Sequence, residues 1–190
     1  MNNVQPVEIR YATMDDLEAI RALYHAVTLQ GTGIARRTEE VTEQYIRGFI
    51  RNSIERGIIL VAQEAVNGLL VAEVHSYRME PQVFSHVLSE LTIVVHPAYQ
   101  QYGIGRHIFQ SLLKEVEDRH PSILRVELVA KETNHRAIRF YEQLGFVQEG
   151  RFEQRITSDN GGFEADIPMA WFRTSPRPSP EGEGVDPLEK

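Results

Sequence analysis

The chain is predicted to fold as a mixed α/β (α+β) sheet of about seven strands with helices on both faces. Three observations predict it. Helical and strand-like apolar patterns run through residues 7–172 in the order strand, two helices, three strands, helix, strand, helix, two strands. Asn67-Gly68 separates two apolar, β-branched runs and marks a hairpin, so the sheet is not purely parallel. Residues 88–130 then read strand, helix, strand, the pattern of one parallel crossover.

Each element has a local reason. Residues 7–11 alternate apolar and polar side chains, as a short strand does. Thr13 followed by Asp16 makes a capping-box-like start, and Leu17, Ile20, Leu23, Tyr24 and Val27 then recur at helical spacing. Gly31-Thr32-Gly33 ends that pattern. A second helix is expected after Thr38, with Val41, Tyr45, Ile46, Phe49 and Ile50 on its apolar face. Residues 58–65 and 69–77 are the hairpin strands, and residues 88–95 a further strand. Residues 104–117 are a helix that turns Ile104, Ile108, Phe109, Leu112, Leu113 and Val116 inward. A strand over 123–130 and a short helix over 134–144 follow. Strands over 146–155 and 163–172, joined by a turn at 158–162, complete the sheet.

These elements make one domain over residues 1–173. From Thr174 the text becomes TSPRPSPEGEGVDPLEK, which holds four of the nine prolines and little that is apolar. Residues 174–190 are therefore expected to be a disordered tail, because burial there cannot offset ordering entropy.

Composition narrows the function. A net charge of −7 repels phosphate backbones, and no basic run offsets it, so nucleic acid is not expected as a partner. With no cysteine, neither a disulfide nor a cysteine acyl-enzyme can form. The histidines show no metal-ligand spacing, so no metal is expected. The N-terminal residues lack the basic and apolar regions of a signal peptide, and no run reaches membrane-span length. A soluble, cytoplasmic protein without a membrane partner is the expectation.

The most informative stretch is Leu91-Thr92-Ile93-Val94-Val95-His96-Pro97-Ala98-Tyr99-Gln100-Gln101-Tyr102-Gly103-Ile104-Gly105-Arg106. A strand ends at proline, and a polar loop enters a helix through two glycines. Unpaired N–H groups at a helix start suit an anion, and glycine lets the backbone approach it closely. A plain strand–loop–helix turn would use the same glycines. The P-loop pattern is absent, and Ile108 stands where a dinucleotide fingerprint needs glycine.

Two segments resemble a known family. Gln100-Gln101-Tyr102-Gly103-Ile104-Gly105 matches the Q/R-x-x-G-x-G/A signature of GNAT acetyltransferases. Residues 134–146, NHRAIRFYEQLGF, resemble that family's N-x-x-A-x-x-x-Y-x-x-x-G-F segment. The resemblance covers residues 7–172 and implies a GNAT-like fold and acetyl-coenzyme A as co-substrate. It also implies that Ile93, Val94 and Val95 present backbone groups to the pantetheine arm. Gln101, Tyr102, Gly103, Ile104, Gly105 and Arg106 would surround the pyrophosphate, and Asn134 would hydrogen-bond the cofactor. Tyr141 would be the general acid near the sulfur. Glu90, six residues before His96, matches the glutamate base of the phosphinothricin-type subgroup, whose strand also ends Val-His-Pro. Alanine-type ribosomal-protein acetyltransferases carry a glutamate five residues before the Asn; Val129 stands there instead. The implied reaction is acetyl transfer to a primary amine of a small molecule, by direct attack in a ternary complex. A protein N-terminal acetyltransferase and a silent acetyl-coenzyme A sensor are the alternatives. A homodimer is compatible with all three.

The chemistry has a use for these residues. An alkyl amine of pKa about 10 is only about one part in a thousand free at pH 7, so a base helps. Glu90 and His96 compete for that role, each with an ordinary structural reading beside it: a strand-start charge for Glu90, a loop residue set by Pro97 for His96. Proton donation from a tyrosine near pKa 10 to a thiolate near 8.5 is uphill by roughly 2 kcal/mol, so Tyr141 should assist rather than dominate. Backbone N–H groups near Val94 or Val95 are candidates for stabilising the carbonyl oxygen. Met79, Phe84 and His86 sit on an expected loop and either line the acceptor site or cover the sheet.

Overall fold

The computed structural model describes residues 6–30, 34–157 and 161–173. The predicted break at 31–33, most of the turn at 158–162 and the predicted tail at 174–190 lie outside the described residues. The elements are β1 (Val7–Tyr11), α1 (Leu17–Thr28), α2 (Glu43–Arg56), β2 (Gly57–Glu64), β3 (Leu70–Tyr77) and β4 (Val87–Val95). They continue with α3 (Ile104–Arg119), β5 (Arg125–Lys131), α4 (His135–Glu142), β6 (Val147–Gln148), β7 (Phe152–Thr157) and β8 (Phe163–Phe172). No helix among the described residues is long and apolar enough to cross a membrane.

Local chemistry explains the starts and turns. Before α1, the Thr13 N–H donates to Asp16 Oδ2 at 2.8 Å and the Asp15 N–H to Thr13 Oγ1 at 3.3 Å, completing the expected capping box. The second helix begins later than expected. Thr38 opens only a short 3₁₀ turn, and Thr42 caps α2 by accepting from the Tyr45 N–H at 3.2 Å. In the β2–β3 hairpin Gly68 takes φ +73°, and Asn67 Oδ1 accepts from the Leu69 N–H.

The sheet is mixed and has eight strands rather than about seven, in the order β1-β2-β3-β4-β5-β8-β6, with β7 also paired to β8. Among the described residues only β4 and β5 pair in parallel. The expected strand over 146–155 is split, because β6 and β7 pair successively with the same edge of β8. Pro168 lies opposite the gap. Its carbonyl accepts from the Glu149 N–H at 2.9 Å, but proline has no N–H to return.

Two apolar layers sandwich the sheet. On one face α1 and α2 bury Ile20, Leu23, Tyr24, Ile46, Phe49 and Ile50 against Ile59, Val61 and Val94. On the other, α3 and α4 bury Ile108, Phe109, Leu112, Val116 and Ile138 against strands β2 to β5 and β8. Most of these positions are the apolar stripes legible in the sequence.

Strand β4 carries the irregularity that matters for the site. Tyr77 pairs with Ser89 and His75 with Thr92, so Glu90 and Leu91 together oppose Ser76 alone. Glu90 takes φ +53°, a left-handed conformation rare outside glycine. The side-chain alternation slips there, and Leu88 and Leu91 both enter the α3 layer. Pairing of β4 with β5 is confined to Val87–Leu88 against Arg125–Val126. Beyond that point the two strands part.

Candidate active site

The parting of β4 and β5 opens a cleft of about 520 Å³. Its walls come from both layers: Val27 belongs to the α1 side, while Phe140 and Tyr141 pack on the α3 side. The cleft therefore runs through the sheet. Of the residues expected from the sequence, Ile93, Val94, Val95, Gln101, Gly103, Gly105, Arg106, Asn134 and Tyr141 line it.

The β4 edge is available because its neighbour is gone. The His96 N–H donates to Val71 O on β3 at 2.8 Å. Strand alternation then turns the backbone of Val94 toward β3, and that of Ile93 and Val95 toward the open edge. Gln100 Nε2 donates to Val95 O at 3.3 Å, as that orientation requires.

The start of α3 forms the charged end. Gln101 and Gly103 both take left-handed backbone, with φ of +70° and +82°. The first helical bond runs from the His107 N–H to Gly103 O at 3.0 Å. By helix geometry, the N–H groups of Gly103, Ile104, Gly105 and Arg106 lack an acceptor one turn back. A Cβ at Gly105 would come within 3.2 Å of Val95 Cγ2, so glycine allows strand and helix to close together there. The Ile104 side chain is buried in the core, leaving only its backbone for a ligand, and Tyr102 is exposed beside the cleft rather than lining it.

A second helix start faces the first. Asn134 Oδ1 caps α4 by accepting from the Ala137 N–H at 3.1 Å, which leaves the amide nitrogen as a donor. Arg136 also lines the cleft, and Arg106 donates to Gln143 and lies over the Phe140 ring at 5.5 Å. Two helix N-termini and two guanidinium groups thus bring positive potential to one end of an acidic chain.

Tyr141 is both a core and a cleft residue. Its ring lies 5.6 Å from Phe109 and 5.4 Å from Phe140, and burial pushes its hydroxyl up to about 12. Tyr24, fully buried, is also raised well above the usual value, first by burial and then by the Glu73 charge. Both phenols hold their protons more tightly in the folded state than in the unfolded chain. The stability this gives is fully present below pH 10 and is lost as pH rises from 10 toward 12. We expect the urea midpoint to fall across that window, as the unfolding free energy drops by about 2 kcal/mol for Tyr141. Tyr24→Phe should flatten the fall; a midpoint constant from pH 9 to 11.5 would contradict the desolvated phenols.

The two base candidates differ. Glu90 is exposed on the β4 bulge, outside the residues that line the cleft, and its charge helps raise Tyr77 after burial. His96 Nδ1 accepts from the Ala98 N–H at 3.2 Å. A neutral imidazole bonded that way carries its proton on Nε2 and has no free lone pair. Met79 and Phe84 are exposed, and neither they nor His86 line the cleft.

Sequence reasoning missed Val27, Tyr99, Gln100, Arg136, Ala137 and Phe140 as cleft residues. Arg136 and Ala137 were reachable, because a helix start after Asn134 points to its first turn. Val27 had no signal, since only tertiary packing brings α1 to the opening.

The sequence profile of the "Acetyltransferase (GNAT) family" matches residues 35–146, and the chain belongs to that family. It is 38% identical over 87 residues to the [ribosomal protein bS18]-alanine N-acetyltransferase of Escherichia coli K12, a match covering 44% of this chain and 57% of that protein. It is 26% identical over 152 residues to the L-amino acid N-acyltransferase MnaT of Escherichia coli K12, covering 78% of this chain and 84% of that one. In fold it is similar to yncA from Salmonella typhimurium, solved with its cofactor acetyl-CoA. That likeness has a TM-score of 0.76 at 22% identity and covers 88% of this chain and 94% of the other.

Proposed function

We propose that the protein is an acetyl-coenzyme A-dependent N-acetyltransferase that acetylates a primary amine of a small molecule by direct attack in a ternary complex. The observation that carries the reading is the cleft running through the sheet between two helix starts and an open strand edge. The N–H groups at the start of α3, with Arg106 and Arg136, would hold the pyrophosphate. The backbone of Ile93 and Val95 would meet the pantetheine arm, and the Asn134 amide would donate to the cofactor. When bound, acetyl-coenzyme A supplies an activated acetyl thioester. Tyr141 donates a hydrogen bond to the departing sulfur. A free N–H at the strand edge stabilises the carbonyl oxygen, and Glu90 takes the amine proton through water.

MnaT, the relative with the wider coverage, is named for acylation of a small amine. The identity to the bS18-alanine enzyme favours a second reading, transfer to a protein N-terminus. Val129, exposed at the position where that type carries glutamate, speaks against it. A panel of free amines, L-amino acids and a peptide with N-terminal alanine, read by product mass, decides. We expect acetylation of at least one small amine and none of the peptide. Acetylated peptide alone establishes the second reading. Cofactor binding without any product points to a sensor.

A further inference from the structure

Glu64 closes β2 and is 5% exposed. A carboxylate so nearly buried is costly unless hydrogen bonds hold it. Both of its oxygens are taken, and by neutral donors. Oε2 accepts from the Asn67 amide at 2.6 Å, and Oε1 accepts from the Tyr99 hydroxyl at 2.7 Å. The turn fixes the carboxylate from its own side: the Gly68 N–H donates to Glu64 O at 2.9 Å, and the Glu64 N–H to Leu69 O at 2.9 Å. The Asn67-Gly68 turn thus does more than reverse the chain. It aims a fixed acceptor at the loop between β4 and α3.

Tyr99 ends the 3₁₀ turn Pro97–Tyr99 that leads from β4 toward α3. It lines the cleft, packs partly against the α3 layer and meets the His96 ring edge-on at 5.5 Å. The hydrogen bond to Glu64, then burial and the Glu64 charge, raise its hydroxyl, which therefore keeps its proton and donates. That bond spans 35 residues of sequence and ties the loop to the β2–β3 turn. Just beyond Tyr99 the chain takes left-handed backbone at Gln101 and Gly103, with φ of +70° and +82°. Such backbone at a residue other than glycine persists only where its surroundings enforce it. The same short stretch sets the direction of the unpaired N–H groups that open α3.

We propose that Glu64 and Tyr99 are positioning residues for the cofactor: their hydrogen bond tethers residues 96–103 in the form that presents the α3 N–H groups to the pyrophosphate. The inference rests on the acetyl-coenzyme A reading above and adds to it a residue, Glu64, that lies outside the cleft lining. Charge alone and the tether predict opposite signs. A carboxylate beside an anion site repels phosphate, so its removal would tighten cofactor binding if the field were all that mattered. With the tether cut, the loop spends time in other conformers. The apparent dissociation constant then rises by the inverse of the fraction still competent to bind.

The test is calorimetric titration of the full-length protein with coenzyme A, which needs no acceptor. Tyr99→Phe removes one hydroxyl and keeps the ring in the cleft. It should weaken binding by about tenfold, the loss of one hydrogen bond to a charged group. Glu64→Leu removes the charge and every acceptor, and should weaken binding to a similar extent. Glu64→Gln keeps an acceptor oxygen and should recover part of the loss. The double variant Tyr99→Phe/Glu64→Leu should be no worse than either single one, because both cut the same bond. Amide exchange at residues 101–106 should be faster in free Tyr99→Phe than in free wild type, and equal in the two complexes. Thermal melts without cofactor check folding, and Tyr99→Phe decides alone if Glu64→Leu does not fold. Wild type that fails to bind coenzyme A overturns the cofactor reading and this inference with it. Wild type that binds, matched by Tyr99→Phe, overturns the tether alone. Tighter binding by Glu64→Leu, or additive losses in the double variant, would do the same.

Discussion

Acetyl-coenzyme A is expected to raise the melting temperature of the wild-type protein, and Gly103→Asp to abolish that effect. Gly103 begins α3 with φ +82°, and a Cβ added there meets nothing within 4 Å. The substitution is therefore sterically open, with a backbone cost of about 1–2 kcal/mol for a side chain in the left-handed region. The larger effect is charge. A carboxylate about 5 Å from a phosphate at an effective dielectric near 20 costs about 3 kcal/mol, or roughly a hundredfold in affinity. Gly103→Asn separates the two effects, since asparagine tolerates the same backbone and carries no charge. Melting curves against cofactor concentration for the three proteins make the comparison. Equal stabilisation of wild type and the aspartate variant would remove the loop from the cofactor site.

Tyr141→Phe and Glu90→Gln should fail in different ways. With the Tyr141 hydroxyl pushed up to about 12, the gap to a thiol near 8.5 corresponds to roughly 5 kcal/mol, wider than an unperturbed tyrosine would give. Full proton transfer to the thiolate is therefore a minor path, and hydrogen-bond donation is the main one. Removing the hydroxyl while keeping the ring should lower turnover by about tenfold to a thousandfold. Cofactor affinity should barely change, because the packing against Phe109 and Phe140 survives. The wild-type profile should show no alkaline limb from Tyr141 below pH 11. Glu90→Gln acts on the amine instead. Its defect should shrink as pH rises, since free amine becomes abundant without help. Measured with one verified acceptor, a Glu90→Gln profile identical to wild type assigns the base to water alone. A silent Tyr141→Phe returns Tyr141 to the core.

Much of this was legible because it is local. The stripe Leu17, Ile20, Leu23, Tyr24, Val27 and the stripe Ile104 to Val116 are set by helical period, and both are buried as expected. Asn67-Gly68 turns the hairpin because glycine accepts φ +73° at no steric cost. Thr13-x-x-Asp16 caps a helix wherever it stands. Capping also explains one boundary that was misplaced. Thr38 and Thr42 offer the same oxygen, and only the Tyr45 N–H arriving at Thr42 selects between them. The broken strand at 149–151 had a sign in Pro168, but its meaning depended on which neighbour Pro168 faced.

By itself the sequence determined most of the elements and their order, the apolar helix stripes and the loop from Val95 to Arg106, because periodicity, capping and turn chemistry act within a few residues. The tertiary structure alone decided that β4 bulges at Glu90 and parts from β5 after Leu88. It also brought Val27 to the same opening as Tyr141 and committed His96 Nδ1 to Ala98. Each of these depends on a partner distant in sequence or on the backbone path of one residue, and neither is encoded in the pattern of neighbouring side chains.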